Sequence, residues 1–119
     1  MAKNESAENY LETILMLSKQ LPVVRSVDVA NELGFKKSSV SIAMKNLREK
    51  QHITVTDAGF IYLTETGREI AEMIRERHEF LSAWLQRLGV PEEIASEDAC
   101  KLEHVLSKES FDAIKSTYK

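Results

Sequence analysis

Residues 26–64 read SVDVANELGFKKSSVSIAMKNLREKQHITVTDAGFIYLT, and a change of period inside this stretch decides the fold. Val27, Val29, Ala30 and Leu33 follow Ser26 at helical spacing, with Ser26 the expected N-cap and Gly34 the expected stop. After Phe35, the stripe Val40, Ala43, Met44 and Leu47 predicts a helix from about Lys37 to Lys50. A turn of about three to four residues containing Gly separates the two, the spacing of a helix-turn-helix. From His52 the period falls to two. Residues 52–56 and 60–64 are β-branched and aromatic, and Asp57-Ala58-Gly59 lies between them, which predicts a hairpin. A helix-turn-helix followed at once by a hairpin is the winged-helix arrangement.

Outward from this stretch the chain is helical. Tyr10, Leu11, Ile14, Leu15 and Leu17 predict a helix from Ser6 to Gln20, ended by Pro22. Thr64 is the expected N-cap of a long helix that tolerates Gly67 in its first turn. Ile70, Met73, Ile74, Phe80, Leu81, Trp84, Leu85 and Leu88 carry that helix to Gly89. Pro91 opens a further helix through His104, and a last one runs from about Lys108 to Tyr118. The expected fold class is mainly α: an N-terminal winged helix-turn-helix with a small β-hairpin wing, then an all-helical region.

Composition narrows the function classes. The 119 residues are 43% hydrophobic and 29% charged, ordinary for a soluble globular chain. A single cysteine excludes an internal disulfide framework and fits a reducing compartment. No apolar run approaches the ~18 residues of a membrane span, and the polar start shows no secretory signal. The expected location is cytoplasmic, with no membrane partner. Net charge is −3, but its distribution is uneven. Lys36, Lys37, Lys45, Arg48 and Lys50 stand against Glu49 alone, whereas Glu92, Glu93, Glu97, Asp98 and Glu103 stand against Lys101. One segment suits phosphates and the other suits cations.

The basic segment opens the third helix. Ser38, Ser39, Ser41 and Ile42 are placed for base edges or thymine methyls, and Lys36, Lys37 and Lys45 for phosphates of double-stranded DNA. In the acidic segment Cys100, Glu103 and His104 fall at i, i+3 and i+4 and share one helix face. Thiolate, carboxylate and imidazole together make a metal-binding set, but three ligands do not close a site. Asn9 and Glu12 on the first helix and His78 on the long one are the residues available to complete it. No nucleophile motif, Gly-rich phosphate loop or His-Glu-x-x-His is present, so neither an enzyme nor an organic small-molecule substrate is expected.

Asn9-Tyr10-Leu11-Glu12-Thr13-Ile14, Ser39-Val40-Ser41, residues 63–67, Arg77-His78-Glu79-Phe80-Leu81 and residues 100–107 extend over most of the chain. In these stretches it resembles the diphtheria-toxin-repressor and manganese-transport-regulator family of metal-dependent repressors. The Cys-x-x-Glu-His-x-x-Ser pattern is the most specific match. The resemblance implies a homodimer, with a DNA-binding domain at residues 1–70 and a helical metal-binding and dimerisation domain at 71–119. It implies that metal loading fixes the spacing of the two recognition helices for operator DNA. It carries over Cys100, Glu103 and His104 from the iron branch, and Glu12 and His78 from the manganese branch. Asn9 stands where those branches have Met or Asp. Ser82 and Ser96 stand where the iron branch's ancillary site has Glu and His, and that branch's C-terminal SH3-like domain has no counterpart before Lys119.

Mixed oxygen and nitrogen donors with at most one sulfur suit Fe(II) or Mn(II), with Co(II), Ni(II) or Zn(II) also bound in vitro. The expected function is a metal-dependent transcriptional repressor, metal binding acting allosterically. The alternative, kept open by Asn9, is a winged-helix regulator whose degenerate site does not respond to metal.

Overall fold

The computed structural model describes residues 7–117. The expected helix start at Ser6 and end at Tyr118 lie outside the described residues. The elements in chain order are α1 (Ala7–Gln20), α2 (Ser26–Leu33), α3 (Lys37–Glu49), β1 (Ile53–Val55), β2 (Ile61–Leu63), α4 (Glu65–Arg87), α5 (Glu92–Val105) and α6 (Lys108–Thr117). The chain divides into two compact units, the first ending at Glu72 and the second beginning at Met73.

In the first unit Leu11, Ile14 and Leu15 of α1 are buried with Val29 of α2, Val40 and Leu47 of α3, and Ile53 and Ile61 of the hairpin. Tyr10 packs edge-on against Phe35 in the helix-turn-helix turn, with ring centroids 5.9 Å apart. Gly34 takes φ 71°, and its N–H and that of Phe35 both reach the Ala30 carbonyl. This left-handed stop is what frees α3 to start in a new direction. Ser26 is not the N-cap of α2. Arg25 holds that position, and the Asp28 carboxylate reaches back to accept from its backbone N–H at 2.8 Å. The third-position carboxylate thus satisfies the cap residue's own N–H, a different donor from the first-turn N–H groups that a cap hydroxyl accepts from.

The hairpin pairs Ile53 with Leu63, Thr54 with Tyr62 and Val55 with Ile61 in antiparallel register. Ile53 and Ile61 point into the core, while Thr54 and Tyr62 face outward, the alternation that period two dictates. The strands are shorter than residues 52–56 and 60–64, because Thr56 turns inward on the loop and accepts on its carbonyl from Gly59 and on its hydroxyl from Phe60. The Ile61 N–H donates to Val24 O at 2.8 Å, fixing the wing to the segment before α2.

Thr64 caps α4 as expected: its hydroxyl accepts from Gly67 N–H at 3.2 Å and donates to Gln51 O at 2.7 Å. Gly67 is required there. A Cβ on it would collide with the His52 carbonyl, which already accepts from Thr64 N–H at 3.1 Å.

In the second unit Leu81, Ala99 and Phe111 form the buried cluster, flanked by Phe80, Trp84, Leu102 and Leu106. Phe80 meets Phe111 edge-on at 5.5 Å. Pro91 sits one residue before the first helical residue of α5 rather than inside its first turn. No helix among the described residues is long and apolar enough to cross a membrane.

Candidate metal centre and nucleic-acid interface

The buried stripe of α5 is Ala95, Ala99 and Glu103: two small residues, then a carboxylate only 1% exposed. Alanines at i and i+4 let a neighbouring helix approach closely. An acid as the next step of that stripe is costly unless cations or donors meet it.

Two imidazoles meet it. His78 Nδ1, from α4, lies 3.1 Å from Glu103 Oε2, and His104 Nε2 lies 3.3 Å from Glu103 Oε1. Cys100 Sγ lies 3.7 Å from the same His78 Nδ1. Ligand atoms of His78, Cys100 and Glu103 all fall within 4.8 Å of one another. The 3.1 Å approach at Oε2 is an ion-pair contact without hydrogen-bond alignment, and that buried oxygen accepts no hydrogen bond among the described residues. One nitrogen, one sulfur and one under-coordinated oxygen therefore converge on a single point. That donor set fits a divalent transition-metal ion.

Charge follows the geometry. The contact with Cys100, then that with Glu103, pushes the His78 imidazole up to about 10 from its ordinary 6.5, against the opposing effect of burial. Burial pushes the Glu103 carboxyl up, but the contacts with His104 and His78 outweigh it and hold the group below the usual carboxylate range.

Asn9 and Glu12 lie on α1 in the first unit, Glu12 buried and Asn9 partly so. The grouped ligand atoms of the second unit are those of His78, Cys100 and Glu103. Ser82 is engaged locally, its hydroxyl accepting from the Gln86 side-chain amide at 3.2 Å. The residue that sequence reasoning passed over is Arg77. It is 8% exposed and was read only as part of a matching run.

On the first unit, Lys36 is the N-cap of α3, in extended conformation, and Lys37, Ser38 and Ser39 form its first turn. Lys36, Lys37, Ser38, Ser41 and Lys45 are exposed, and Ser39 is partly so. Ile42 is 64% exposed on the solvent side of an otherwise amphipathic helix. A large aliphatic there serves no core and suits an apolar contact such as a thymine methyl. Ser41 and Lys45 also border a groove of about 170 Å³, together with Ser26, Met44, Arg48 and Val55. Positions 41, 45 and 48 repeat at helical spacing, so Arg48 shares that face with Ser41 and Lys45.

Residues 4–57 match the family described as iron dependent repressor, N-terminal DNA binding domain. Residues 64–119 match iron dependent repressor, metal binding and dimerisation domain. The chain is similar to the transcriptional regulator MntR of Escherichia coli O6:H1, at 34% identity over 113 residues, 95% of this chain and 73% of that one. It is similar to the MntR of Bacillus subtilis strain 168, at 33% identity over 109 residues, 92% of this chain and 77% of that one. Its fold is that of the solved T. acidophilum IdeR, with a TM-score of 0.83 at 23% identity, covering 98% of this chain and 55% of that one. The chain thus spans about half the length of that solved structure.

Proposed function

The chain belongs to the diphtheria-toxin-repressor and manganese-transport-regulator family of metal-dependent, DNA-binding transcriptional repressors, which are not enzymes, and from that premise we propose how this member works. The observation that carries the proposal is Glu103 Oε2, a buried oxygen without a hydrogen bond beside an imidazole and a thiol. His78 would offer Nδ1, Cys100 its sulfur and Glu103 its carboxylate. His104, beside the other carboxylate oxygen, stays in the set with Asn9 and Glu12 on the sequence resemblance. A bound divalent cation would replace the His78 proton as the positive charge beside the carboxylate and sulfur, and would cross-link α4 to α5. The sulfur donor favours Fe(II) over Mn(II).

Residues of the second unit would pair two copies. Leu88, Ile94 and Val105 are exposed by 66%, 52% and 75%, more apolar surface than a small helical unit normally leaves to water. Leu81 is not part of that surface and is fully buried in the unit's own core. The paired copies would present two α3 helices to double-stranded operator DNA, with Lys36, Lys37 and Lys45 on phosphates and Ser38, Ser39, Ser41 and Ile42 toward bases.

An operator selected from a random library, titrated anaerobically with Fe(II), Mn(II), Co(II) and Zn(II), tests the proposal. At least one metal should raise operator affinity about 10-fold or more. Equal binding with every metal and with none would replace the proposal by a winged-helix regulator that does not respond to metal. In the same assay Lys37→Ala should weaken specific and random DNA alike and lower the salt slope by about one contact. An unchanged slope removes Lys37 from the interface.

Protons supply a second test. The contacts that raise His78 stabilise the metal-free fold fully below 6.5, and that contribution is lost as pH rises through about 10. At neutral pH the ring is protonated, so a metal must displace that proton. Binding should release at least about one proton per ion, and affinity should rise about tenfold per pH unit on the way to pH 10. Calorimetry in buffers of different ionisation enthalpy reads the release. No release at neutral pH would exclude His78 as a ligand.

A further inference from the structure

Arg77 directly precedes His78 on α4, so the two side chains leave the helix about 100° apart. His78 meets the side chains of Cys100 and Glu103. Arg77 meets the backbone of the same segment. Its Nη1 donates to the Glu103 carbonyl at 3.2 Å and to the Leu106 carbonyl at 2.9 Å. Its guanidinium lies over the Phe111 ring of α6, 5.1 Å from the centroid.

These are not surface contacts. Arg77 is 8% exposed and Phe111 4%. The two carbonyls belong to the last turn of α5 and to its C-cap, where helical carbonyls run out of intrahelical partners and a cation is favoured. Beyond them Ser107 turns the chain into α6, its hydroxyl accepting from Ser110 N–H at 3.0 Å. One guanidinium thus joins the ends of α5 and α6 to α4, one residue from the imidazole of the metal cluster. Glu103 is held at both ends, its carbonyl by Arg77 and its carboxylate by His78 and His104.

We propose that Arg77 is a positioning residue of the metal centre: its two hydrogen bonds set where the last turn of α5 lies along α4, and so bring the Glu103 carboxylate to His78 and Cys100. It touches no metal and carries no charge into the cluster. The assignment rests on the metal-binding reading of His78, Cys100 and Glu103.

The test uses the full chain with Co(II), which reports sulfur and nitrogen ligation in its absorption spectrum. Arg77→Met keeps an apolar stem but removes the guanidinium, and with it both hydrogen bonds and the contact over Phe111. Phe111→Leu loosens the same core and keeps the donors. Affinity is read by competition with a chelator, and folding by the thermal melt of the metal-free protein. Arg77→Met should lose about 10- to 100-fold in Co(II) affinity, the range for outer groups that orient ligands, with an altered Co(II) spectrum. Phe111→Leu should lower the melt and leave affinity and spectrum near the parent's. Should Arg77→Met fail to fold, Arg77→Lys carries the test, because an ammonium cannot reproduce the guanidinium fork, and a loss of about 10-fold is expected. Parent-like affinity and spectrum in the folded Arg77 variant overturn the assignment alone. An equal loss in Phe111→Leu overturns it too, since general loosening would then explain both. A parent chain that binds no Co(II) overturns the metal-binding reading, and Arg77's role falls with it.

Discussion

Replacing Glu103 by alanine is expected to cost more than about 100-fold in divalent-metal affinity and also to lower the melting temperature of the metal-free protein. The affinity loss follows from removing the buried oxygen donor of the cluster, a larger change than the 10- to 100-fold of disturbing an outer group. The stability loss follows from the two contacts with imidazoles, since deleting one partner of a buried pair costs about 3–5 kcal/mol. Part of it is offset, because Oε2 is buried and accepts no hydrogen bond, a situation that costs about 1–3 kcal/mol. His78 should also fall from about 10 toward its ordinary 6.5, though not fully, because the contact with Cys100 is its largest support and remains. Thermal melts without metal and a Co(II) competition titration decide the matter. A variant that melts far lower and still binds Co(II) like the parent makes Glu103 a structural ion-pair partner and removes it from the metal site.

Gly67→Ala is the second large effect, on stability. Helix propensity alone would make alanine better by about 1 kcal/mol in a helix interior. The new methyl, however, meets the His52 carbonyl, and that carbonyl is pinned by Thr64 N–H. Its neighbourhood is pinned as well: Thr64 and Thr66 hydroxyls both donate to Gln51 O, and Gln51 holds φ 64°. With no flexible side chain to give way, overpacking of roughly 1–3 kcal/mol or more wins. The net loss should lower Tm by roughly 10 °C for a unit of this size. A melt equal to or above the parent's would mean that the wing and the start of α4 can separate freely.

The winged helix was legible because every signal for it is local. Leu33-Gly34-Phe35 stops one helix, the stripe from Val40 to Leu47 opens another, and period two begins at His52. Where competing local groups decide an end, the reading slipped by a residue or two. Arg25 and Asp28 displaced Ser26 as the N-cap of α2, and the Thr56 turn shortened both strands. For Leu81, periodicity says that the residue is apolar and which helix face it shares. What covers that face is a matter of packing.

The candidate metal centre divides along the same line. That Cys100, Glu103 and His104 share a face of one helix follows from 3.6 residues per turn, and the sequence by itself determined it. The residue types also determined the chemistry on offer: one sulfur, two imidazoles and carboxylates, with no catalytic motif beside them. Three things waited for the tertiary structure. It placed His78, 22 residues before Cys100, within 3.7 Å of its sulfur. It turned one oxygen of Glu103 to His78 and the other to His104. It set Arg77 on the Glu103 and Leu106 carbonyls. The physical reason is common to all three. Periodicity is a property of one helix and can be counted along it. The register between α4 and α5 comes from Ala95, Ala99, Leu81 and Phe111 fitting together, and a fit between separate elements leaves no period to count.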